Sequence, residues 1–410
     1  MPVISARVAK EVSLFSRAIH GSLQAPDQAS ILGTHCGGAT VTMTPERCGV
    51  SAPKFLVVTN EARLGTDAPG VHAAFDELQQ ANAISAIQYS SWKPQARESV
   101  AARDARLVRD FAGDYDYAVL LSPRSDSMSE NTFDALEHAL GSRPLAIWEG
   151  DAIALTTMPR LVRRWFKRSD VVFSQSGSPQ PEIILRAGAT KVFHLPATYC
   201  HVQFATAEQS PPSRDFEHDA VMIASESRSI RRPFGISGSV GRRRLASKLR
   251  RAQLNFDLAG RGWPSSWNAE PLPFSQQSTR IRKARLSVNW DHAPRFADSS
   301  SNRLPISLIS GRIHVTTRHP GMAWLPTSEL GLFQEGSVSD MIDRIREILA
   351  EPDEKIFSLG KANWDWSRGR LSHRQSVQYQ YQTLTGIEVP SLPSEPWAHL
   401  PGPWDGSEGN

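Results

Sequence analysis

Residues 256–263 read Phe-Asp-Leu-Ala-Gly-Arg-Gly-Trp, and residues 286–290 read Leu-Ser-Val-Asn-Trp. Both are short apolar runs that end in polar residues, which is the pattern of a strand buried in a sheet. The run Asp-Ala-Val-Met-Ile-Ala precedes them at 219–224, Arg-Ile-His-Val-Thr follows at 312–316, and amphipathic helical patterns lie between. Strands that alternate with helices favour a parallel sheet. Residues 219–365 are therefore predicted to form an α/β domain.

The first half of the chain shows the same alternation from residue 54 to residue 204. Its predicted strands are residues 55–59, 86–89, 117–121, 144–148, 170–174 and 191–195. A polar, proline-bearing stretch, residues 205–218, separates the two halves and has the composition of a linker. The sequence therefore predicts two Rossmann-like α/β domains. Because such sheets bind ligands at the carboxyl ends of their strands, we expect these ends to face each other across a cleft.

Neither end of the chain shows this alternation of strand and helix patterns. Residues 1–53 have no regular strand and helix pattern and are predicted to be an N-terminal appendage. Residues 366–410 contain a helical pattern followed by a Pro- and Gly-rich tail, whose apolar content is too low for it to fold alone. Trp397 and Trp404 are the side chains expected to hold this tail on the domains.

The composition is that of a globular protein, with 410 residues, 40% apolar residues, 21% charged residues and a formal net charge of +4. A positive net charge this small does not by itself indicate a nucleic-acid-binding protein. The chain begins without the apolar core of a signal peptide, and no uncharged apolar run reaches the ~18 residues of a membrane-spanning helix. Its three cysteines, Cys36, Cys48 and Cys200, argue against a disulfide scaffold. We therefore expect a cytoplasmic protein.

Common cofactor motifs are missing from the sequence. No Gly-x-Gly-x-x-Gly follows a predicted strand, and the P-loop, His-Glu-x-x-His, paired Cys-x-x-Cys and Gly-x-Ser-x-Gly motifs are absent. A metal site at His35, Cys36 and Cys48 would lack the usual spacing of ligand pairs. We therefore predict that the protein uses no cofactor and no metal.

The second half of the chain carries a further ordered set of motifs. Residues 302–311 read Asn-Arg-Leu-Pro-Ile-Ser-Leu-Ile-Ser-Gly, and a helical pattern follows at 339–349. Together with the runs quoted above, in their order and spacing, these residues resemble the C-terminal half of the CgeB-like (spore-maturation-type) glycosyltransferases. The resemblance extends more weakly over residues 54–385. It implies the GT-B architecture, a nucleotide-sugar donor held mainly by the second domain, an acceptor approached from the first, and a retaining transfer without an obligatory metal.

One position departs from the pattern of this family. The family carries Arg-x-Phe-Glu, with the glutamate against the donor, whereas this chain has Pro305 and Ile306 after Arg303. Three explanations stay open at this stage. The donor is held by Asp291 or His292 instead, the donor is an unusual sugar nucleotide, or the activity has been lost.

Arg303 and Arg261 are the candidates to bind the donor diphosphate. Arg303 precedes a helical segment and Arg261 follows a strand, so both are predicted at the carboxyl ends of strands. A guanidinium group can hold two phosphate oxygens and stabilise the charge that a leaving diphosphate gains. The other predicted donor-side residues are Ser225, Asn302 and Gly260 for binding, and Asp291 and His292 for catalysis at the sugar or ribose.

The acceptor-side candidates follow strands of the first domain. Asp151 is predicted to exchange a proton with an acceptor hydroxyl, although an aspartate here is equally suited to cap the next helix. Glu149, Asn60 and Glu61 are candidates to orient the acceptor, with a turn-forming role as the alternative for Asn60.

Two basic helical patterns, residues 159–168 and 242–251, combine an apolar stripe with cations on the remaining faces. The ordinary interpretation is a packed helix with a solvated basic face, and the alternative is contact with a membrane surface or a nucleic-acid backbone. The acceptor therefore stays open among a polysaccharide, a protein, a small molecule and a modified nucleic acid, whose base would have to be flipped into the cleft.

Taken together, these patterns predict a hexosyl- or pentosyltransferase that moves a sugar from a nucleotide sugar to an acceptor hydroxyl. Two alternatives remain. One is a non-catalytic GT-B-like protein that binds a sugar or a nucleic acid, which the missing glutamate favours. The other is a nucleotide-sugar epimerase.

Overall fold

The computed structural model describes residues 51–123, 128–151, 158–226, 237–327 and 329–405. All of these residues belong to one compact unit. Of the predicted N-terminal appendage, residues 1–50, with Cys36 and Cys48, lie outside the described residues. None of the helices within the described ranges has the length and apolar character needed to cross a membrane.

The first sheet is built from the first half of the chain. Its parallel strands are β1 (Lys54–Thr59), β2 (Ala86–Ser91), β3 (Tyr117–Leu121), β4 (Leu145–Glu149), β5 (Val171–Ser174) and β6 (Lys191–His194). They lie in the order β6-β5-β4-β3-β1-β2. The helices between them are α1 (Pro69–Gln80), α2 (Val100–Phe111), α3 (Glu130–Leu140), α4 (Arg160–Arg168) and α5 (Gln180–Arg186). Phe55 to Val58 of β1 are at most 1% exposed, because helices cover both faces of a parallel sheet.

The second sheet follows α6 (Ala205–Gln209), a short helix within the predicted linker. Its parallel strands are β7 (His218–Ile223), β8 (Phe256–Ala259), β9 (Ala284–Val288), β10 (Ile313–Thr317) and β11 (Leu332–Glu335), in the order β11-β10-β9-β7-β8. The helices that belong to it are α7 (Ser237–Arg251), α8 (Gln277–Ile281), α9 (Arg303–Ile309), α10 (Val338–Leu349) and α11 (Asp353–Ser367). The prediction of two Rossmann-like units is confirmed.

After the second sheet the chain returns to the first. Helix α12 (His373–Thr385) packs on α1, where Arg374 donates from Nε and Nη2 to the two carboxylate oxygens of Glu77 at 2.5 and 2.8 Å. A short strand, β12 (Trp404–Asp405), pairs antiparallel with β6. Trp397 is only 4% exposed, so the Pro- and Gly-rich tail lies against the first sheet and its helices.

The loops at the carboxyl ends of the two sheets meet. Gly177, after β5, donates its N–H to the carbonyl of Ala297 at 2.7 Å, and Ala297 donates to the carbonyl of Ser178 at 2.7 Å. The buried hydroxyl groups of Ser176 and Ser299 hydrogen-bond at 3.0 Å. These contacts join the loop after β5 to the segment after β9, so the strand ends of the two sheets face the same cleft.

Candidate functional site

Arg242, in the first half of α7, is a buried cation at the strand ends of the second sheet. It is 1% exposed, and its Nε donates to the carbonyl of Trp290 at 3.1 Å. Its Nη1 donates to the carbonyl of Ser225 at 3.0 Å and to Nε2 of His292 at 2.8 Å. Its Nη2 is buried and has no hydrogen-bond partner among the described residues. The expectation that this helix turns all its cations to solvent is therefore wrong for Arg242.

Two glycines allow α7 to lie directly on the loop after β9. A Cβ atom on Gly238 would come within 2.1 Å of the carbonyl oxygen of Asp291, and one on Gly241 within 2.2 Å of the indole nitrogen of Trp290. Gly238 also donates its N–H to the carbonyl of His292 at 3.2 Å. This close approach carries Arg242 inward instead of leaving it on the surface.

Arg303 begins α9 and lies near Arg242. It is half-buried, and its Nε donates to the carbonyl of Ile223 at 2.6 Å, at the end of β7. Burial, and then the charge of Arg303, lower the pKa of Arg242 to about 9. Burial also lowers the pKa of Arg303, although the negative charge of Asp291 acts to raise it. The pocket therefore holds two guanidinium groups close enough to repel each other.

Asp291 is the carboxylate of this pocket, and its own hydrogen bonds occupy it. It is 5% exposed, and its Oδ1 accepts from Nδ2 of Asn289 at 2.5 Å. Its Oδ2 accepts from Oγ1 of Thr316 at 3.3 Å and faces Nε2 of His319 at 3.1 Å. Burial alone would raise the pKa of Asp291, but the hydrogen bond and charge of His319 and the charge of Arg303 hold it below its usual range. Asp291 therefore stays ionised.

His292 lies beside Asp291 in the loop after β9. Burial, followed by the charges of Arg242 and Arg303, lowers the pKa of His292 to about 4. A neutral ring accepts the Arg242 hydrogen bond at Nε2, so the proton of the imidazole is at Nδ1. At neutral pH His292 is thus a hydrogen-bonding group rather than a third cation.

The other predicted donor-side residues lie around these groups. Ser225, Arg261 and Asn302 are exposed, and the carbonyl of Arg261 accepts the N–H of Glu226 at 2.8 Å. Gly260 has a φ of 134°, and a Cβ atom there would come within 2.1 Å of the Ala224 carbonyl oxygen. Gly260 therefore serves the close approach of the loops after β7 and β8.

On the first sheet, Glu61 is turned inward. Its Oε2 accepts from the hydroxyl of Thr59 at 2.6 Å and faces Nε2 of His72 at 2.7 Å, while its Oε1 accepts the N–H of Ala68 at 2.7 Å. Burial opposes ionisation, but the hydrogen bonds from His72, Thr59 and Ala68 lower the pKa of Glu61 to about 2. These contacts fix the start of α1, whereas the neighbouring Asn60 is exposed.

The two carboxylates after β4 differ in exposure. Glu149 is 1% exposed, and its Oε1 accepts the N–H of Asp151 at 2.9 Å. Asp151 is exposed at the carboxyl end of β4. The helix-capping alternative for Asp151 falls on residues 152–157, which lie outside the described part of the chain. The site residues predicted from the sequence thus lie at the strand ends of both sheets, and Arg242 and His319 join the donor-side group.

The two basic helices differ in how their cations are paired. In α4, Arg164 reaches Glu130, Asp134 and Glu137 of α3 at 2.8, 2.7 and 3.0 Å, so a carboxylate cluster compensates it. In α7, Arg243 pairs with Glu226 at 3.2 Å. Within the described ranges, three exposed α7 cations have no hydrogen-bond or ion-pair partner: Arg244, Lys248 and Arg251.

A search of known family models and a search of curated protein sequences both give no match. Solved structures do match. OtsA in its apo form superposes with a TM-score of 0.51 at 9% identity, over 82% of this chain and 100% of that chain. The fold is GT-B. The E. coli trehalose-6-phosphate structure with bound UDP-2-fluoro glucose gives the same TM-score of 0.51 at 9% identity, over 81% of this chain and 98% of that one. Anabaena HepE in complex with UDP gives 0.49 at 12% identity, over 81% and 100% of the two chains.

The GT-B assignment covers the architecture, and the CgeB-like relationship stays a prediction. In this GT-B chain the second Rossmann-like unit carries Arg242, Arg303, Asp291 and His292, and the first carries Asp151. The two groups lie on loops at the carboxyl ends of their sheets, where open parallel sheets bind ligands.

Proposed function

We propose that the protein transfers a sugar from a nucleoside-diphosphate sugar to an acceptor hydroxyl. The observation that carries this proposal is the pair Arg242 and Arg303, held together in a pocket of low exposure with Nη2 of Arg242 left without a hydrogen-bond partner in the described structure. Like charges brought together away from water cost free energy. A bound diphosphate removes this cost, because it supplies negative charge and acceptor oxygens to both guanidinium groups.

The similar E. coli structure adds support for the donor class, because it contains UDP-2-fluoro glucose in a GT-B fold. In the proposed reaction the acceptor oxygen forms a bond to the anomeric carbon, and the bond from that carbon to the diphosphate oxygen breaks. The leaving diphosphate gains negative charge, which the two guanidinium groups stabilise most strongly in the transition state. The proton of the acceptor hydroxyl passes to a base, for which we propose Asp151 at the end of β4.

The finer features of the reaction belong to the same proposal. The resemblance to the CgeB-like enzymes supports retention at the anomeric carbon, which requires the acceptor oxygen to approach from the face that the diphosphate leaves, and NMR spectroscopy of the product tests it. The guanidinium pair supports a transfer that needs no metal, which activity in the presence of excess EDTA tests. The acceptor is a polysaccharide, a protein, a small molecule or a modified nucleic acid, and mass spectrometry of candidate acceptors after incubation with the donor distinguishes these classes.

Nucleotide binding is the first test of this proposal. We expect a panel of nucleoside diphosphates and their sugars to include a ligand that stabilises the protein by about 2.7 kcal/mol at one hundred times its Kd. Arg303→Gln and Arg242→Gln should each weaken that binding by about 100-fold, since each removes a charged donor to phosphate. Isothermal titration calorimetry and thermal unfolding measure both effects.

Arg244→Gln is the matched control, because Arg244 lies on the same helix as Arg242 but is exposed and has no partner in the described structure. It should bind the nucleotide as the wild type does. If no nucleoside diphosphate or nucleotide sugar binds the wild type, or if binding survives in Arg303→Gln, the proposed donor site is wrong.

A second candidate function is a GT-B-shaped binding protein without catalysis. Ile306 favours it, because this side chain is 0% exposed and leaves the position of the family glutamate without a carboxylate. Turnover distinguishes the two candidates. An enzyme releases free nucleotide because it transfers the sugar of the donor, slowly to water and faster to the correct acceptor. A binding protein returns the donor intact. An epimerase would instead return it with an altered sugar.

A further inference from the structure

The ring of His319, which follows β10, lies between two oxygen atoms. Its Nε2 is 3.1 Å from Oδ2 of Asp291, and its Nδ1 is 3.1 Å from the carbonyl oxygen of Phe296. A carbonyl and an ionised carboxylate can only accept hydrogen bonds, so the ring donates to both partners only when each of its nitrogens carries a proton. The side chain of His319 is 1% exposed, so both ring nitrogens are shielded from bulk solvent. This geometry is that of an imidazolium bonded to a carboxylate.

The other two histidines near Asp291 lack this geometry. His292 accepts a hydrogen bond from Arg242 at Nε2, which a protonated nitrogen cannot do. His314 bonds through Nδ1 to the hydroxyl of Ser287 at 2.8 Å, and its Nε2 has no partner in the described structure. Burial lowers the pKa of His314 to about 4. Of these three rings, only His319 has an acceptor oxygen at both nitrogens.

The charges of the pocket can therefore be counted. With His319 protonated, Arg242, Arg303 and His319 each contribute one positive charge, and Asp291 and Asp298, which both interact electrostatically with His319, each contribute one negative charge. The net charge of these five groups is one positive unit, and without His319 it would be zero. Near neutral pH a nucleoside monophosphate carries about 1.5 to 2 negative charges, and a nucleoside diphosphate carries about one more.

We propose that His319 is a positioning residue of the donor pocket: paired with Asp291, it offsets the carboxylate beside Arg303 and makes the pocket select a diphosphate over a monophosphate. This inference rests on the proposed donor site and deepens it by naming the residue that sets the charge of the ligand. Removal of the imidazolium leaves Asp291 free to draw Arg303 away from the phosphates. The loss of binding affinity should therefore be larger for ligands that carry more negative charge.

His319→Gln tests this proposal, because the amide of glutamine can still donate to Asp291 but carries no charge. The probes are the nucleoside, nucleoside monophosphate and nucleoside diphosphate of the base that binds the wild type, together with inorganic pyrophosphate. We expect about 10-fold weaker binding of the diphosphate and pyrophosphate, about 3-fold weaker binding of the monophosphate, and unchanged binding of the nucleoside. With a sugar nucleotide as substrate, KM should rise more than kcat falls.

His314→Gln is the matched control, since His314 is also buried beside Asp291 but is neutral; it should leave the ratio of diphosphate to monophosphate affinity unchanged. His319→Lys is a second variant, which restores a positive charge at this position. Its ratio of diphosphate to monophosphate affinity should lie between those of His319→Gln and the wild type, and this keeps the test decisive if His319→Gln folds poorly. An equal loss for nucleoside and diphosphate, or no loss, overturns the role of His319. A wild type that binds none of the probes overturns the donor site itself.

Discussion

Ile306, where the predicted CgeB-like relationship would place a glutamate, belongs to the core of the second unit. Its side chain is 0% exposed and packs in an apolar cluster that includes Leu304 and Trp324. Ile306 is thus part of the apolar core of this unit. Asp291, on a different loop, is the carboxylate that interacts electrostatically with Arg303.

Ile306→Glu should therefore damage the protein rather than restore a family contact. A glutamate at this position would place a carboxylate among apolar side chains without a partner. We expect the free energy of unfolding at neutral pH to fall by about 3 kcal/mol or more. Ile306→Val, which only shortens the side chain, should cost about 1 kcal/mol. Urea unfolding measures both, and an Ile306→Glu variant as stable as the wild type would contradict this packing.

Single residues also mark the limit of what the sequence could predict about the site. Arg303 was predictable, because it precedes a helix in a recognisable motif. Arg242 was not, since it stands in the run Arg242–Arg244 and nothing local distinguishes the buried member from its exposed neighbours. His319 was missed because its partners, Asp291 and Phe296, are distant in sequence and meet it only in the fold.

At the scale of elements, the position of α7 decides the geometry of the donor pocket. The helix rests on the loop after β9 through Gly238 and Gly241, and it carries Arg242 between the ends of β7 and β9. A small displacement of this helix would move the guanidinium group without changing any charge. The site therefore depends on backbone contact as well as on its charged side chains.

Gly238→Ala tests this dependence. The new methyl group would collide with the Asp291 carbonyl, which is backbone and cannot rotate away, so α7 must shift. We expect about 10-fold weaker binding of the nucleoside diphosphate, measured by calorimetry. The matched control is Gly336→Ala, because a Cβ atom there meets nothing within 4 Å. Wild-type affinity in the Gly238→Ala variant would show that α7 does not position Arg242.

The elements themselves were largely predictable. Strands of parallel sheets are continuous apolar runs, so their patterns at 55–59 and 117–121 coincide with β1 and β3. The pairing of β12 with β6 was not predictable, because two residues in a Pro- and Gly-rich segment carry no strand signal and their pairing is set by tertiary contact.

At the scale of the whole molecule, several buried histidines make the free energy of unfolding depend on pH. His194 is 0% exposed, neither ring nitrogen has a partner in the described structure, and burial lowers its pKa from an ordinary value of 6.5 to about 3. Burial lowers the pKa of His373 to about 3 and, with lesser charge effects, that of His292 to about 4. The unfolded chain binds protons at these sites below about pH 6.5 while the folded chain does not, so stability falls as the pH falls.

His194→Phe should reduce this acid sensitivity, because phenylalanine keeps a ring beside Trp324 and cannot bind a proton. When the pH is lowered from 7.5 to about 5.5, the free energy of unfolding should decrease in both proteins. The decrease should be about 1.4 kcal/mol smaller in the variant than in the wild type. His399→Phe, at an exposed position, should lose as much as the wild type. Denaturant unfolding at the two pH values measures the difference, and parallel losses in all three proteins would contradict it.

The return of the C-terminal strand to β6 has a consequence for synthesis of the protein. Residues 195–403 separate the two strands, so a ribosome that adds about 5–20 residues per second leaves the edge of β6 unpaired for roughly 10–40 s. An unpaired strand edge is a template for association with other chains. We therefore expect this edge of the nascent chain to be open to association with other chains until Trp404 and Asp405 leave the exit tunnel.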